Sequence, residues 1–130
     1  MKKAKSFNFI IPLVVYPFDC MVSLNENWDK FGVSVTKKWG AEILDDFTKS
    51  SHATSEGLSY VYTSDSMLCC MIKIHNFKKD AQGYSDLQHE IFHATEFILR
   101  KCGMELNSNS HEAYAYLCGY LTKEIYKKIL

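Results

Sequence analysis

The chain has 130 residues, of which 47% are hydrophobic and 23% charged, and this composition predicts one globular domain spanning residues 1–130. Fifteen basic and fifteen acidic side chains give a formal net charge of zero. This balance argues against nucleic acid or an anionic membrane surface as a partner. We find no uninterrupted apolar run of transmembrane length.

The first third of the chain predicts a small sheet with one helix. Residues 7–15 and 19–24 are rich in β-branched and aromatic side chains and are interrupted near Pro17, as in a kinked extended segment or a pair of short strands. Apolar residues then recur at helical spacing over residues 26–39, and Gly40 is a plausible stop.

The middle of the chain predicts a hairpin that follows a polar loop over residues 49–57. Strand-like runs cover residues 58–63 and 67–75, and residues 64–66 have the composition of a turn. The second run is almost continuously apolar, which favours an inner strand or one covered on both faces.

The last third predicts two helices. Ser85 and Gln88 have the spacing of a capping box, and the helix that they open would run to Cys102, with Gly103 as a left-handed C-cap. Asn109 or Ser110 would cap a final helix that reaches about Lys128. Strands and one helix followed by two helices predict the α+β class.

A metal-binding pattern lies in the first of these two helices. His89 and His93 are four residues apart, so their imidazoles project from the same helix face and can bind one metal ion. Glu90 is next to His89 and could take a proton from a metal-bound water without being a ligand. A catalytic zinc needs a third protein ligand, and Glu112 in the first turn of the next helix is the natural candidate.

These residues resemble the gluzincin metallopeptidases. The likeness is greatest to the short single-domain forms common in bacteriophage and mobile-element genomes, and it rests on HEIFHA at residues 89–94 and EAYAYL at residues 112–117. The resemblance implies a minimal zincin-like domain. It also implies that His89, His93 and Glu112 bind Zn²⁺ and that Glu90 is the general base. The function implied is that of a zinc-dependent metallopeptidase acting on a peptide or protein substrate.

Several assignments keep alternatives at this stage. His111 could replace Glu112 as a ligand, and Glu96 could orient a ligand histidine. Larger gluzincins have an acidic residue where this chain has Tyr116. They also take a residue that stabilises the oxyanion from a further domain; here the candidates are Tyr84, Tyr114, Tyr116, His75 and His111.

A second hypothesis is non-enzymatic. The protein would then be a catalytically weak or inactive zincin-fold interaction protein, phage-encoded or virion-associated, in which zinc is structural and the partner is a phage structural protein or a host protein. The intact Glu90 argues against it, because a structural site does not need a base.

The cysteines predict a reducing compartment. Their number is odd and none stands in a C-x-x-C spacing, which favours free and mostly buried thiols over disulfides or metal ligands. The five residues are Cys20, Cys69, Cys70, Cys102 and Cys118. Cytoplasmic localisation is therefore expected, in the host cell if the protein is phage-encoded.

Overall fold

A mixed β-sheet lies between two pairs of helices, which confirms the α+β class. The computed structural model describes residues 4–50, 52–54, 59–64 and 67–130. The strands of this part of the chain are β1 (Phe7–Pro12), β2 (Asp19–Leu24), β3 (His52–Thr54), β4 (Ser59–Ser64) and β5 (Cys69–Ile74). Its helices are α1 (Trp28–Trp39), α2 (Ala41–Ser50), α3 (Ala81–Lys101) and α4 (His111–Ile129).

The five strands lie in the order β1-β2-β5-β4-β3. Neighbouring strands are antiparallel except β2 and β5, which run parallel with Asp19 opposite Cys69 and Leu24 opposite Ile74. Every residue of β5 is buried. The prediction of an inner strand is therefore confirmed, and the predicted pair of N-terminal strands is present as β1 and β2.

Side chains that alternate along the strands supply two separate cores. On one face Val22, Val61 and Ile72 pack with the buried side of α3 and α4. On the other face Met71 packs with Phe31 of α1 and Phe47 of α2. Full burial of an apolar side chain of this size contributes about 1.5–3 kcal/mol, so both helix pairs are anchored to the sheet.

The region before the hairpin differs from the prediction, because it contains two helices rather than one. Helix α1 stops at Gly40 as predicted, with a φ of 101° that favours glycine. A second helix, α2, follows at once and buries Ile43 and Phe47, which are four residues apart. The polar loop predicted over residues 49–57 is wrong at residues 49–50, which end α2, and at residues 52–54, which form β3.

Parts of the sequence interpretation lie outside the described residues. These are residues 51 and 55–57 of the expected polar loop, Leu58 at the start of the first expected strand, and residues 65–66 of the expected turn. The described strands on either side, β4 and β5, are antiparallel partners as the hairpin prediction requires.

The N-cap of α3 lies five residues earlier than the N-cap of the predicted capping box. Asp80 is the N-cap, and its Oδ1 accepts a hydrogen bond from the amide of Gly83 at 2.8 Å. Ser85 therefore lies inside the helix, and Gln88 contacts α4 instead of reaching back to a cap. The end of the helix is as predicted, since Gly103 has a φ of 85°.

Candidate metal site

Two imidazoles converge on the outer face of α3. The Nε2 atoms of His89 and His93 are 3.1 Å apart, and the ring centroids are 4.7 Å apart. Two nitrogens bound to one tetrahedral zinc at 2.0–2.1 Å would be about 3.3 Å apart. The pair therefore fits two ligand positions of such an ion with little rearrangement.

The same separation also fits a hydrogen bond between the two rings. In that state one Nε2 carries the proton and donates it to the lone pair of the other. A metal needs a lone pair on both Nε2 atoms, so the donating ring would first move its proton to Nδ1. The hydrogen bond between the rings and a bound metal are therefore alternative states of the pair.

The two histidines differ in their surroundings. The His89 side chain is 61% exposed. His93 is half-buried, and its ring lies 5.9 Å from the ring of Phe97, which also lies 5.2 Å from the guanidinium carbon of Arg100. His93 is thus restrained by an aromatic neighbour, whereas His89 is open to solvent.

Glu90 turns away from the solvent beside the pair. Each helical residue advances by about 100° around the axis, so Glu90 faces the sheet while His89 faces outward. Its side chain is only 2% exposed, and its Oε1 is 3.9 Å from Nε2 of His89. The structure therefore brings a buried carboxyl group next to the exposed imidazole pair.

Glu112 is not part of this arrangement. Within the described residues, no set of three or more His, Cys, Asp and Glu side chains is close enough to hold a metal ion. Glu112 and the alternative ligand His111 are both exposed in the first turn of α4.

The packing of α3 against α4 explains the separation. Gln88 donates a hydrogen bond to Thr122 at 2.9 Å and Tyr84 contacts Tyr126, so the two helices are antiparallel. Glu112 is then level with about residue 98 of α3, roughly 7.5 Å along the axis from His93 and roughly 13.5 Å from His89. His89 and His93 are also turned by about 100° and 140° away from the face that Gln88 presents to α4. A Cβ at Gly119 of α4 would meet no atom within 4 Å, so no neighbouring element packs closely against this position.

Two of the residues considered for oxyanion stabilisation are engaged elsewhere. His75 packs against Trp28 and Tyr60, on the face of the sheet opposite to α3. The buried Tyr114 donates its hydroxyl proton to the carbonyl of Met104 at 2.7 Å. Glu96, which was considered as a residue that orients a ligand histidine, pairs with Arg100 at 3.5 Å.

The two remaining tyrosines that were considered for oxyanion stabilisation differ in their exposure to solvent. Tyr84 is half-buried between the rings of Phe77 and Tyr126. Tyr116 is exposed on α4.

A buried lysine is the main polar feature that the sequence interpretation missed. Lys73 of β5 is fully buried, and its Nζ donates to the carbonyl of Glu26 at 2.7 Å and to Oγ of Ser23 at 3.2 Å. The rings of Phe31 and Trp28 lie 4.7 and 5.1 Å from the ammonium nitrogen. Burial lowers the pKa of Lys73 to about 8, against a smaller opposing effect of Glu26.

The same cluster affects His75, whose pKa is lowered by burial and by the positive charge of Lys73. A lysine inside the apolar run of residues 67–75 was a signal in the sequence. The sequence did not indicate the hydrogen-bonding partners of Lys73, because they come from β2 and from the segment that leads into α1.

All five cysteines lie in the described part of the chain and are free thiols. Cys20, Cys69 and Cys70 are buried, whereas Cys118 is half-buried and Cys102 exposed. Burial raises the pKa of Cys69 to about 12, which suppresses the thiolate and with it the reactivity of this thiol.

Comparison with protein-family models, with curated proteins and with solved structures finds no match to this chain. The helices of the described residues include none with the length and apolar character needed to cross a membrane.

Proposed function

We propose that this protein is a zinc-dependent metallopeptidase whose site is built on α3. The observation that carries the proposal is the convergence of the two Nε2 atoms, 3.1 Å apart, beside the buried carboxyl group of Glu90. A zinc ion bound there would supply a Lewis acid that polarises the peptide carbonyl and acidifies a water. His89 and His93 would hold it.

Glu90 is the proposed general base. Its carboxyl group is within 3.9 Å of a proposed ligand nitrogen, so a water at the site would be within its reach. Glu90 would take the proton of the attacking water and then donate it to the nitrogen of the leaving amine.

Glu112 is the proposed third ligand, with His111 as the alternative. Both side chains are exposed. This part of the proposal requires the first turn of α4 to move toward the histidine pair, and the buried Tyr114 of that turn would then give up its hydrogen bond to the carbonyl of Met104.

The substrate would lie extended along the outer edge of β4. In the described chain β3 pairs with Ser59–Val61 alone, and no described strand pairs with residues 62–64 on that side. Ser59 and Gly83 line one surface depression. From Ser59 four strand residues span roughly 13 Å, and from Gly83 the ten helix residues to His93 span roughly 15 Å. His93 is thus about level with the open part of β4, where a peptide could add as a strand.

The openness of the site favours one alternative, a structural zinc in a catalytically weak or inactive zincin-fold interaction protein. His89 is largely exposed, and a histidine pair on an outer helix face could share a metal with a phage structural protein or a host protein. Under either proposal the protein acts in the cytoplasm of a cell, or on a virion in the second case, and free thiols support the reducing compartment.

Variants at two positions of α3, with a control on α2, test the proposal. The zinc content of purified protein and cleavage of a diverse peptide library should be measured for wild type, Glu90→Gln, His89→Ala and the control Glu42→Gln, which changes an exposed glutamate of α2. We expect Glu90→Gln to keep zinc and to lose on the order of a hundredfold or more in turnover. His89→Ala should lose stoichiometric zinc, and the control should keep both zinc and turnover.

Three outcomes contradict parts of the proposal. Full zinc binding without any cleavage by wild type would favour the structural alternative. Equal turnover by Glu90→Gln and wild type would exclude Glu90 as the base. A full equivalent of metal in His89→Ala would show that other residues bind it.

A further inference from the structure

Arg100 lies on the same stripe of α3 as the two histidines. It follows His93 by seven residues, which is about two turns, roughly 10.5 Å along the axis and only about 20° around it. Its side chain is 59% exposed. A positive charge therefore stands next to the proposed site, at the end where α3 stops.

An aromatic ring connects the two positions. Phe97 lies 5.9 Å from the His93 ring and 5.2 Å from the guanidinium carbon of Arg100. Stacking of this kind holds a guanidinium group in place while its N–H edge stays available. Arg100 is thus oriented by its neighbour, and this lowers the conformational entropy lost when it binds a partner.

The internal partner of Arg100 leaves room for another. Glu96 accepts from it at 3.5 Å, which is longer than the 2.7–2.9 Å of a strong charge-assisted hydrogen bond. A guanidinium group has five N–H donors and can bind a carboxylate through two of them. An incoming carboxylate could therefore form the shorter contact that Glu96 does not.

We infer that Arg100 determines specificity by binding a carboxylate of the substrate peptide. The inference rests on the proposed function. An extended peptide advances by about 3.3 Å per residue, so a group roughly 10.5 Å from His93 lies about three residues from the cleaved bond. The substrate class is a peptide with an Asp, Glu or C-terminal carboxylate at that distance, and with an apolar residue between them that contacts Phe97.

Binding to a variant that does not turn over separates this inference from the proposed activity. Zinc-loaded Glu90→Gln protein is titrated with fluorescent decapeptides in which one glutamate is moved along an otherwise neutral sequence, each paired with its glutamine analogue. The same titrations are made with Arg100→Gln added. Lys101→Gln is the control, because it removes an equal charge from the adjacent exposed residue, about 100° around the helix.

We expect one glutamate position to bind roughly 2- to 5-fold more tightly than its glutamine analogue, as for an exposed arginine–carboxylate pair. Arg100→Gln should remove that preference, and Lys101→Gln should keep it. Binding without any glutamate preference, a preference that survives Arg100→Gln, or no binding of any peptide would each overturn the inference. If the wild type cleaves no peptide, that result counts against the proposed function only. The binding results above still decide whether Arg100 binds the substrate carboxylate.

Discussion

Replacing the buried Lys73 with methionine should remove a contribution to stability that rises between pH 7 and pH 10.5. Methionine has a similar length and no charge, so the apolar contacts with Trp28 and Phe31 can remain. What disappears is the cost of keeping an ammonium group away from water. That cost is the main reason why the pKa of Lys73 is about 8 in the folded protein.

The sign and size of the effect follow from the two pKa values of this lysine. The ordinary value of 10.5 applies to the unfolded chain, and the folded value is about 8. Between them the unfolded chain binds more protons than the folded one, so the free energy of unfolding rises with pH. The difference of about 2.5 in pKa, at 1.36 kcal/mol for each pH unit, corresponds to about 3 kcal/mol.

Urea unfolding at several pH values, with reductant present, measures this effect. The free energy of unfolding of Lys73→Met minus that of wild type should fall by about 3 kcal/mol from pH 7 to pH 10.5. Only this difference is informative, because buried thiols such as Cys69, with a raised pKa, lower stability at high pH in both proteins. Lys30→Met controls for the loss of an exposed lysine charge. A difference that stays constant with pH would refute the argument.

Three further predictions concern packing, thiols and metal. Gly83→Ala should destabilise the protein by roughly 2 kcal/mol or more, measured by thermal unfolding, because its Cβ would lie 1.7 Å from the backbone oxygen of Lys78; an unchanged melting temperature would contradict this close approach. Alkylation without reductant should modify the exposed Cys102 first and the three buried cysteines only after unfolding; mass spectrometry that finds a native disulfide would be the contrary result. Added zinc should raise the melting temperature of wild type but not of His89→Ala, and equal shifts in both would place the metal elsewhere.

Patterns within single elements predicted much of the fold. The apolar run that contains Lys73 indicated an inner strand, and β5 is the central strand of the sheet. Gly40 and Gly103 marked two helix ends because both need positive φ. Helix α2 was missed, because it follows Gly40 directly and its apolar face consists of only three side chains, Ile43, Leu44 and Phe47. The start of α3 was misplaced because Asp80 and Ser85 are both good caps, and only the tertiary fold selects one.

For the candidate site too, the sequence predicted the arrangement within one helix but not the arrangement between two helices. A spacing of four residues was sufficient to predict that His89 and His93 lie side by side, because both belong to one helix. The relation of Glu112 to this pair depends on how α4 is rotated and shifted against α3. That relation is set by contacts such as the one between Gln88 and Thr122, which no spacing within a motif encodes.

The parallel pairing of β2 with β5 has a consequence for how the chain reaches its native state. The paired residues are 50 positions apart, as Asp19 and Cys69 are, whereas β1 with β2 and β4 with β5 are close in sequence and can form as local hairpins. Joining the two hairpins closes a long loop against chain entropy, so we expect this to be the slow step. Until it occurs, the inner edges of β2 and β5 are unpaired and apolar. Refolding at high protein concentration should therefore lose material to aggregation at this stage.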